Sequence, residues 1–190
     1  WCRRRRIPFV AYVGTAHSLD SNFKSKVMNA LFAAGTLRIY KKNPVLAKTS
    51  AAKEELRQLG VPHAVIAPVG LDNAVLKKNI PADEKMRLRK EHGFEADDVI
   101  LCNVSRLSWE KRPLELIDLF LQVKGKKKFK LIIVGNGPLE EELNEKIRKN
   151  GLEKEVKIYP NVPYEKMWEI YEMSDYYLNM NKGEIFGMAI

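Results

Sequence analysis

The sequence predicts an α/β protein of two parallel-sheet domains, and three observations carry that prediction. Short apolar runs alternate with longer stretches of helical spacing from one end of the chain to the other. Glycines or turn sequences close most of these segments. Composition breaks once, at Asn73 to Asp83, where apolar density falls and Lys77 and Lys78 stand side by side. A helix between two strands brings the chain back to the same end of the sheet, so the alternation implies parallel pairing in a layered fold.

Ile7 to Val13 is an apolar run closed by Gly14, the first strand. Asn22 to Ala34 has helical spacing and stops at Gly35, because glycine favours the conformation that ends a helix. Pro44 to Thr49 is the second strand, Ala51 to Leu59 a short helix ended by Gly60, and His63 to Ala67 the third strand, which runs into Pro68-Val69-Gly70-Leu71-Asp72. The first domain is therefore placed at residues 1–75 and the second at 76–190. After Pro81 a charged helical stretch reaches His92, and a second series follows. Its strands are Val99 to Val104, Phe129 to Val134, Val156 to Tyr159 and Tyr176 to Asn179. Its helices are Leu114 to Val123, Leu139 to Lys149 and Tyr164 to Met173. This is half of a doubly wound, Rossmann-like sheet.

A chain of 190 residues that is 45% hydrophobic has the material for a core. No run approaches the roughly 18 apolar residues of a membrane-spanning helix, and Trp1-Cys2-Arg3-Arg4-Arg5-Arg6 lacks the apolar stretch of a signal peptide. A cytoplasmic location is the expectation. Cys2 and Cys102 suggest neither a disulfide framework nor a zinc site. The net charge of +9 calls for an anionic neighbour. Lys124 to Lys130 has the look of a solvated basic loop. The adjacent arginines Arg3 to Arg6 repel one another unless something negative lies close, which adds an expectation of peripheral association with an anionic membrane surface or an acidic partner. There is no initiating Met, and a new helix starts near Ile190, so a fragment of a longer chain, with both domains incomplete at the chain ends, is expected.

Val104-Ser105-Arg106-Leu107-Ser108-Trp109-Glu110-Lys111-Arg112-Pro113 links a buried strand to a helix and carries three cations. Ligands of open parallel sheets bind beyond the carboxyl ends of the strands, where a helix N-terminus also favours anions. Arg106 and Lys111 either converge on a diphosphate, the guanidinium as a planar fork and the ammonium as a point charge, or one of them pairs with Glu110 in a surface salt bridge. In Ile133-Val134-Gly135-Asn136-Gly137-Pro138 a strand enters a glycine turn without the third glycine of a dinucleotide fingerprint. Gly137 is read as permitting a left-handed φ in a tight turn, Gly135 is left open, and Pro138 is placed at a first helical position. In Gly183-Glu184-Ile185-Phe186-Gly187-Met188, the Glu184 carboxylate can accept two hydroxyl hydrogen bonds and the amides of Phe186 to Met188 can hold a polar ligand, which suits a sugar; a solvated loop glutamate is the alternative. His17 follows the first strand, as a structural hydrogen-bonding group or a ligand group. No residue pattern suggests a metal site.

These segments, in this order and spacing, resemble the donor-binding half of the retaining group 1 glycosyltransferases, which have the two-domain GT-B fold. Ala67-Pro68-Val69-Gly70-Leu71-Asp72 is similar to the turn that leads from their first domain to their second. The resemblance covers roughly two-thirds of the chain. It implies that Arg106 and Lys111 bind the diphosphate of a nucleotide sugar such as a UDP- or GDP-sugar, and that Glu184 with the amides of Phe186, Gly187 and Met188 binds the donor sugar. It implies further that His17 lies near the acceptor and the transferred sugar, and that Tyr159 to Val162 borders the base; Gly135 and Asn161 are counted with the donor-binding residues. The reaction implied is metal-independent hexosyl transfer with retention to a carbohydrate or lipid-linked acceptor, in polysaccharide or glycoconjugate biosynthesis. No cofactor and no specific nucleic acid partner are implied.

The sequence departs from the family pattern at Asn161, where a glycine is usual, so the loop leaves the base undetermined. The family's second glutamate, eight positions after Glu184, would fall beyond Ile190, and most of the first domain is missing. The fragment alone is therefore expected to be inactive. Three other readings stay open: a GT-B-type nucleotide-sugar epimerase or phosphorylase, a noncatalytic polyanion-binding module, and an NAD-binding domain, the last disfavoured by the incomplete glycine pattern.

Overall fold

A computed structural model describes residues 5, 7–14, 26–27, 30–31, 35–70, 80–123, 125 and 128–181. The chain divides into two compact units, one holding the described residues up to Gly70 and the other those from Ile80 to Asn181.

In the first unit, strands β1 (Ala11–Val13), β2 (Val45–Ala47) and β3 (Val65–Ile66) form a parallel sheet in that order, with Tyr12, Leu46 and Val65 in register. Helix α2 (Ser50–Gln58) links β2 to β3; its start is set by Thr49, whose hydroxyl accepts the Ala52 amide at 3.0 Å. Ala52 and Leu56 on α2 pack with Val13, Val45 and Ala47 as the core of this unit. Of the helix predicted over Asn22 to Ala34, Lys26, Val27, Ala30 and Leu31 are described, all helical. Gly35 does not act as a stop: Gly35 and Thr36 form a wider helical turn that leads into α1 (Leu37–Tyr40). His63 holds loop carbonyls, its Nε2 lying 3.2 Å from the Tyr40 oxygen and 3.0 Å from that of Asn43.

The second unit contains α3 (Ala82–Glu91), β4 (Val99–Val104), α4 (Pro113–Val123), β5 (Phe129–Val134), α5 (Glu140–Lys149), β6 (Val156–Tyr159), α6 (Met167–Met173) and β7 (Tyr176–Tyr177). The sheet is parallel, in the order β6-β5-β4-β7. Side chains alternate across it. Leu101, Leu131 and Ile133 face Leu116, Ile117 and Phe120 of α4 and Leu143 and Ile147 of α5. Ile100, Cys102, Ile132 and Val134 face Leu88 of α3 and Ile170 and Met173 of α6. Both faces are covered, which is why these strands are uninterrupted apolar runs in the sequence.

The sheet grows outward from β4 through β5 to β6, and α6 then crosses back to set β7 against the opposite edge of β4. A right-handed crossover demands that a helix reversing the direction of growth lie on the opposite face, as α6 does. The reversal is a topological switch point between β4 and β7, and in open α/β sheets the crevice at the carboxyl ends there receives ligands. A buried strut fixes the amino-terminal side. Arg89, 5% exposed, donates to the Met173 and Asp98 carbonyls and to Asp175 Oδ1 at 2.7 Å, while Asp175 Oδ2 accepts the Ile100 amide at 2.8 Å. No described helix is long and apolar enough to cross a membrane.

Candidate functional site

The carboxyl edge of the second sheet is built from three loops laced by backbone and amide hydrogen bonds. After β4, the Ser105 amide still donates to the Val134 carbonyl at 3.0 Å, and the chain then turns over the top of β5. Leu107, fully buried, anchors the turn: its amide donates to the Asn136 carbonyl at 2.9 Å and its carbonyl accepts the Leu139 amide at 3.1 Å. The loop ends in a 3-10 turn over Trp109–Lys111. Arg112, left-handed at φ 54°, redirects the chain, and Pro113 opens α4 with the ring geometry suited to a first helical turn.

Both glycines of the β5 loop exist for this crossing, for different reasons. Gly135 has a φ of +137°, and a Cβ there would lie 2.0 Å from the Ser105 carbonyl oxygen. Gly137 is not left-handed, contrary to the expectation of a positive-φ turn; its Cβ would stand 2.4 Å from the Leu107 carbonyl oxygen, so close backbone approach is what requires glycine. Pro138 and Leu139 form a turn ahead of α5, which begins at Glu140 rather than at Pro138.

The third loop is tied on by one side chain. Asn136 Nδ2 donates to the Pro160 carbonyl at 3.3 Å and to Asn161 Oδ1 at 2.9 Å. On the other flank, Asn103 is 3% exposed at the end of β4. Its Nδ2 donates to the Leu178 carbonyl at 2.7 Å and its Oδ1 accepts the Ser105 hydroxyl at 2.8 Å. The Tyr177 hydroxyl donates to the Val104 carbonyl at 3.3 Å, so the crevice between β4 and the chain after β7 is held at both walls.

The cations divide unequally. Arg112 Nε pairs with Glu115 at 3.1 Å and is spoken for. The Arg106 side chain is exposed and makes no hydrogen bond or ion pair with any described residue. Lys111 is half-buried. Glu110 accepts the Ser108 hydroxyl at 2.7 Å. That bond, a backbone hydrogen bond and the nearby Arg106 and Lys111 charges hold its carboxyl below the ordinary range. Glu110 is thus ionised and oriented by serine, and the Arg106 side chain stays exposed, without a hydrogen bond or ion pair among the described residues. An exposed guanidinium fork can receive a phosphate group bidentately.

A cleft of about 640 Å³ opens on the α3 and α6 side of the same edge, lined among others by His92, Tyr159, Asn161, Val162 and Trp168. The Tyr159 hydroxyl lies 2.9 Å from His92 Nδ1, and burial pushes the Tyr159 phenol up. Of the predicted site residues, Arg106, Lys111, Gly135 and Asn161 come together on this edge. His17, Glu184, Phe186, Gly187 and Met188 lie outside the described residues. Sequence reasoning missed Asn103, Asn136 and Tyr177. A lone amide inside the run Ile100-Leu101-Cys102-Asn103-Val104 was the available signal for the first, since a polar group in a doubly covered strand needs a partner.

The profile of the family described as glycosyl transferases, group 1, matches residues 84–190. The chain belongs to the group 1 glycosyl transferases. No curated protein matches it. Solved glycosyltransferase structures share its α/β fold of parallel sheets, the GT-B type. Anabaena Alr3699/HepE in complex with UDP-glucose is 20% identical with a TM-score of 0.78, over 98% of this chain and 50% of that one. Sucrose-phosphate synthase from Thermosynechococcus elongatus is 15% identical with a TM-score of 0.77, over 99% and 48%. A mutant of S. aureus TarM, in complex with Fondaparinux, alpha-GlcNAc-glycerol and UDP, is 18% identical with a TM-score of 0.68, over 96% and 34%. This group 1 glycosyl transferase chain spans half or less of the length of these structures.

Proposed function

We propose that the whole protein transfers a hexosyl group from a nucleotide-diphosphate sugar to a carbohydrate or lipid-linked acceptor, with retention of configuration. The observation that carries this reading is the exposed Arg106 guanidinium, unpaired among the described residues, at the carboxyl edge beside the switch point in a chain of this family. UDP and UDP-glucose in the HepE complexes, and UDP in the TarM complex, support a nucleotide-sugar donor. In this reading Arg106 and Lys111 hold the diphosphate, and the base extends toward Asn161. Glu184 and the amides of Phe186, Gly187 and Met188 take the sugar, and His17 stands by the acceptor.

The chemistry follows from charge. As the glycosidic bond breaks, negative charge grows on the β-phosphate, and cations fixed there stabilise the transition state more than the bound ground state. Two side-chain cations supply that stabilisation, so the reading includes no metal. The leaving phosphate helps to take the acceptor proton on the same face, which preserves the anomeric configuration. A role in polysaccharide or glycoconjugate synthesis, in the cytoplasm or at the inner face of the membrane, belongs to the same proposal.

Calorimetric titration with UDP, GDP and ADP tests it, on the protein and on Arg106→Ala. Loss of a charge-assisted bidentate contact is expected to weaken binding by about tenfold or more. If no nucleotide binds, or if the substitution leaves affinity unchanged, the diphosphate assignment is wrong.

A further inference from the structure

We propose that Glu110 serves product release: its fixed negative charge opposes a freed nucleoside diphosphate more strongly than it opposes the esterified diphosphate of the donor. This rests on the diphosphate reading above and adds to it a residue that sets which state of the ligand the site favours. The turn that carries both cations also carries this carboxylate. The Ser108 amide donates to the Arg106 carbonyl and the Lys111 amide to the Ser108 carbonyl, both at 2.9 Å, so positions 106, 108 and 111 share one backbone frame. Ser108 is 6% exposed, and its hydroxyl donates to Glu110 Oε1 at 2.7 Å, which ties the carboxylate to that frame. Glu110 itself is exposed, in the 3-10 turn Trp109–Lys111. Of the other charged groups at this turn and the start of α4, Arg112 and Glu115 pair with each other at 3.1 Å. The charges left to act on a bound diphosphate there are Arg106, Lys111 and Glu110.

A carboxylate beside an anion site weakens the hold on any phosphate, so its placement calls for a gain elsewhere. The reaction supplies one. In the donor the β-phosphate is a diester with one negative charge. When the glycosidic bond breaks, its electron pair stays on the bridging oxygen, and the β-phosphate becomes a terminal group. The proton taken from the acceptor hydroxyl passes to solvent above about pH 6, the second pKa of a phosphate monoester, so the product carries one negative charge more than the donor. Arg106 and Lys111 attract that added charge. Two cations alone would hold the product more tightly than the donor and slow turnover at release. Glu110 subtracts from that attraction where the added charge appears. Two unit charges a few ångströms apart in water-like surroundings change an affinity by about fivefold, and by less as salt screens them.

Calorimetric titration with UDP, GDP and the methyl esters of their β-phosphates tests this, because the esters carry the donor's charge without its sugar. Glu110→Gln keeps an oxygen for the Ser108 hydroxyl and removes the charge. At pH 8 and low salt it is expected to tighten the free diphosphate about threefold to fivefold more than the ester. Glu110→Asp keeps the charge and should leave the ratio of the two affinities at its native value. At pH 5 the terminal phosphate has taken up its proton. Glu110 stays ionised there, because the Ser108 hydroxyl, a backbone hydrogen bond and the Arg106 and Lys111 charges hold its carboxyl below the ordinary range. Native protein and Glu110→Gln should then show the same ratio. If Glu110→Gln tightens diphosphate and ester by one factor or moves neither, or if Glu110→Asp shifts the ratio as Glu110→Gln does, the assignment of Glu110 is overturned and the diphosphate site stands. Absence of any nucleotide binding overturns both.

Discussion

Gly137→Ala separates close backbone approach from every other role a glycine can have. Its φ is not left-handed, so alanine carries no backbone penalty there. The added Cβ would stand 2.4 Å from the Leu107 carbonyl oxygen, 2.8 Å from the carbonyl carbon and 2.9 Å from the nitrogen. Ordinary contact begins at 3.4 Å, so the Leu107 peptide must retreat by about 1 Å. The Leu107 amide donates to the Asn136 carbonyl at 2.9 Å and the Leu107 carbonyl accepts from the Leu139 amide at 3.1 Å. Both bonds would leave hydrogen-bonding range, at about 1 kcal/mol each, on top of about 1–3 kcal/mol for overpacking. The total, about 3–5 kcal/mol, should lower Tm by roughly 6 °C or more at this chain length. Arg106 is bonded to the displaced residue, and misplacement on the order of 1 Å degrades a positioned contact. UDP affinity should therefore fall together with Tm. Gly151→Ala is the control: its φ is +58° with nothing within 4 Å, so it costs about 1 kcal/mol of strain and should leave UDP binding intact. Thermal melts followed by circular dichroism, paired with UDP titrations, decide the matter. If Gly137→Ala melts and binds as the native protein does, the crossing of the two loops is not what the glycine serves.

Two other sites give independent outcomes. Asn103→Ala orphans the Leu178 carbonyl and the Ser105 hydroxyl at a buried position, with an expected loss of about 1–3 kcal/mol in chemical denaturation and weaker UDP binding, because both walls of the crevice lose their tie. Asp175 gives a pH dependence. Burial alone would raise its carboxyl, but the Ile100 amide and the Arg89 guanidinium outweigh burial and hold it below the ordinary value. Because the folded value lies below the unfolded one, this contribution is fully present above about pH 4 and is lost as pH falls through the folded value. Asp175→Asn should flatten the acid limb of a Tm-against-pH curve while lowering Tm at pH 7; an unchanged acid limb would count against the strut. Arg89→Met should cost about 1–3 kcal/mol, since it leaves the Met173 and Asp98 carbonyls without their donor, while Lys85 Nζ at 3.3 Å and the Ile100 amide still hold the Asp175 carboxylate.

Much of the second unit was legible because its strands are buried on both faces and therefore announce themselves as apolar runs; β4, β5 and β6 coincide with their predicted bounds. Shorter elements were less legible. His63 to Ala67 reduces to Val65–Ile66, and Tyr176 to Asn179 to Tyr176–Tyr177, because pairing depends on how far a neighbour extends, which side-chain pattern does not record. Helix α1 was hidden behind Gly35, a residue that can end a helix but is not compelled to. In the candidate site, Arg106 and Lys111 were identifiable from residue type and their place between a strand and a helix, whereas Gly135 was left open and Asn161 came only with the family resemblance. Asn136 was not, since a polar residue between two glycines is unremarkable until Pro160 and Asn161 are seen beside it. The surface salt bridge considered for Glu110 has a more specific counterpart: the carboxylate is held by the Ser108 hydroxyl.

That placement of Asn136 changes what the cationic loop is. Its backbone carbonyl holds Leu107, the neighbour of Arg106, and its side chain holds Pro160 and Asn161 in the loop after the adjacent strand β6. The proposed phosphate contact and the proposed base contact are therefore mounted on one residue, and neither loop can shift without straining the other. A preorganised pair of distant contacts raises affinity by removing conformational freedom before the ligand arrives. The glycines on either side of Asn136 are the condition for that arrangement, because a side chain at either would push away the strand-to-helix turn that carries Arg106. The cation is the part that touches the ligand in this scheme, and the glycine-asparagine-glycine turn beneath it decides where the cation stands.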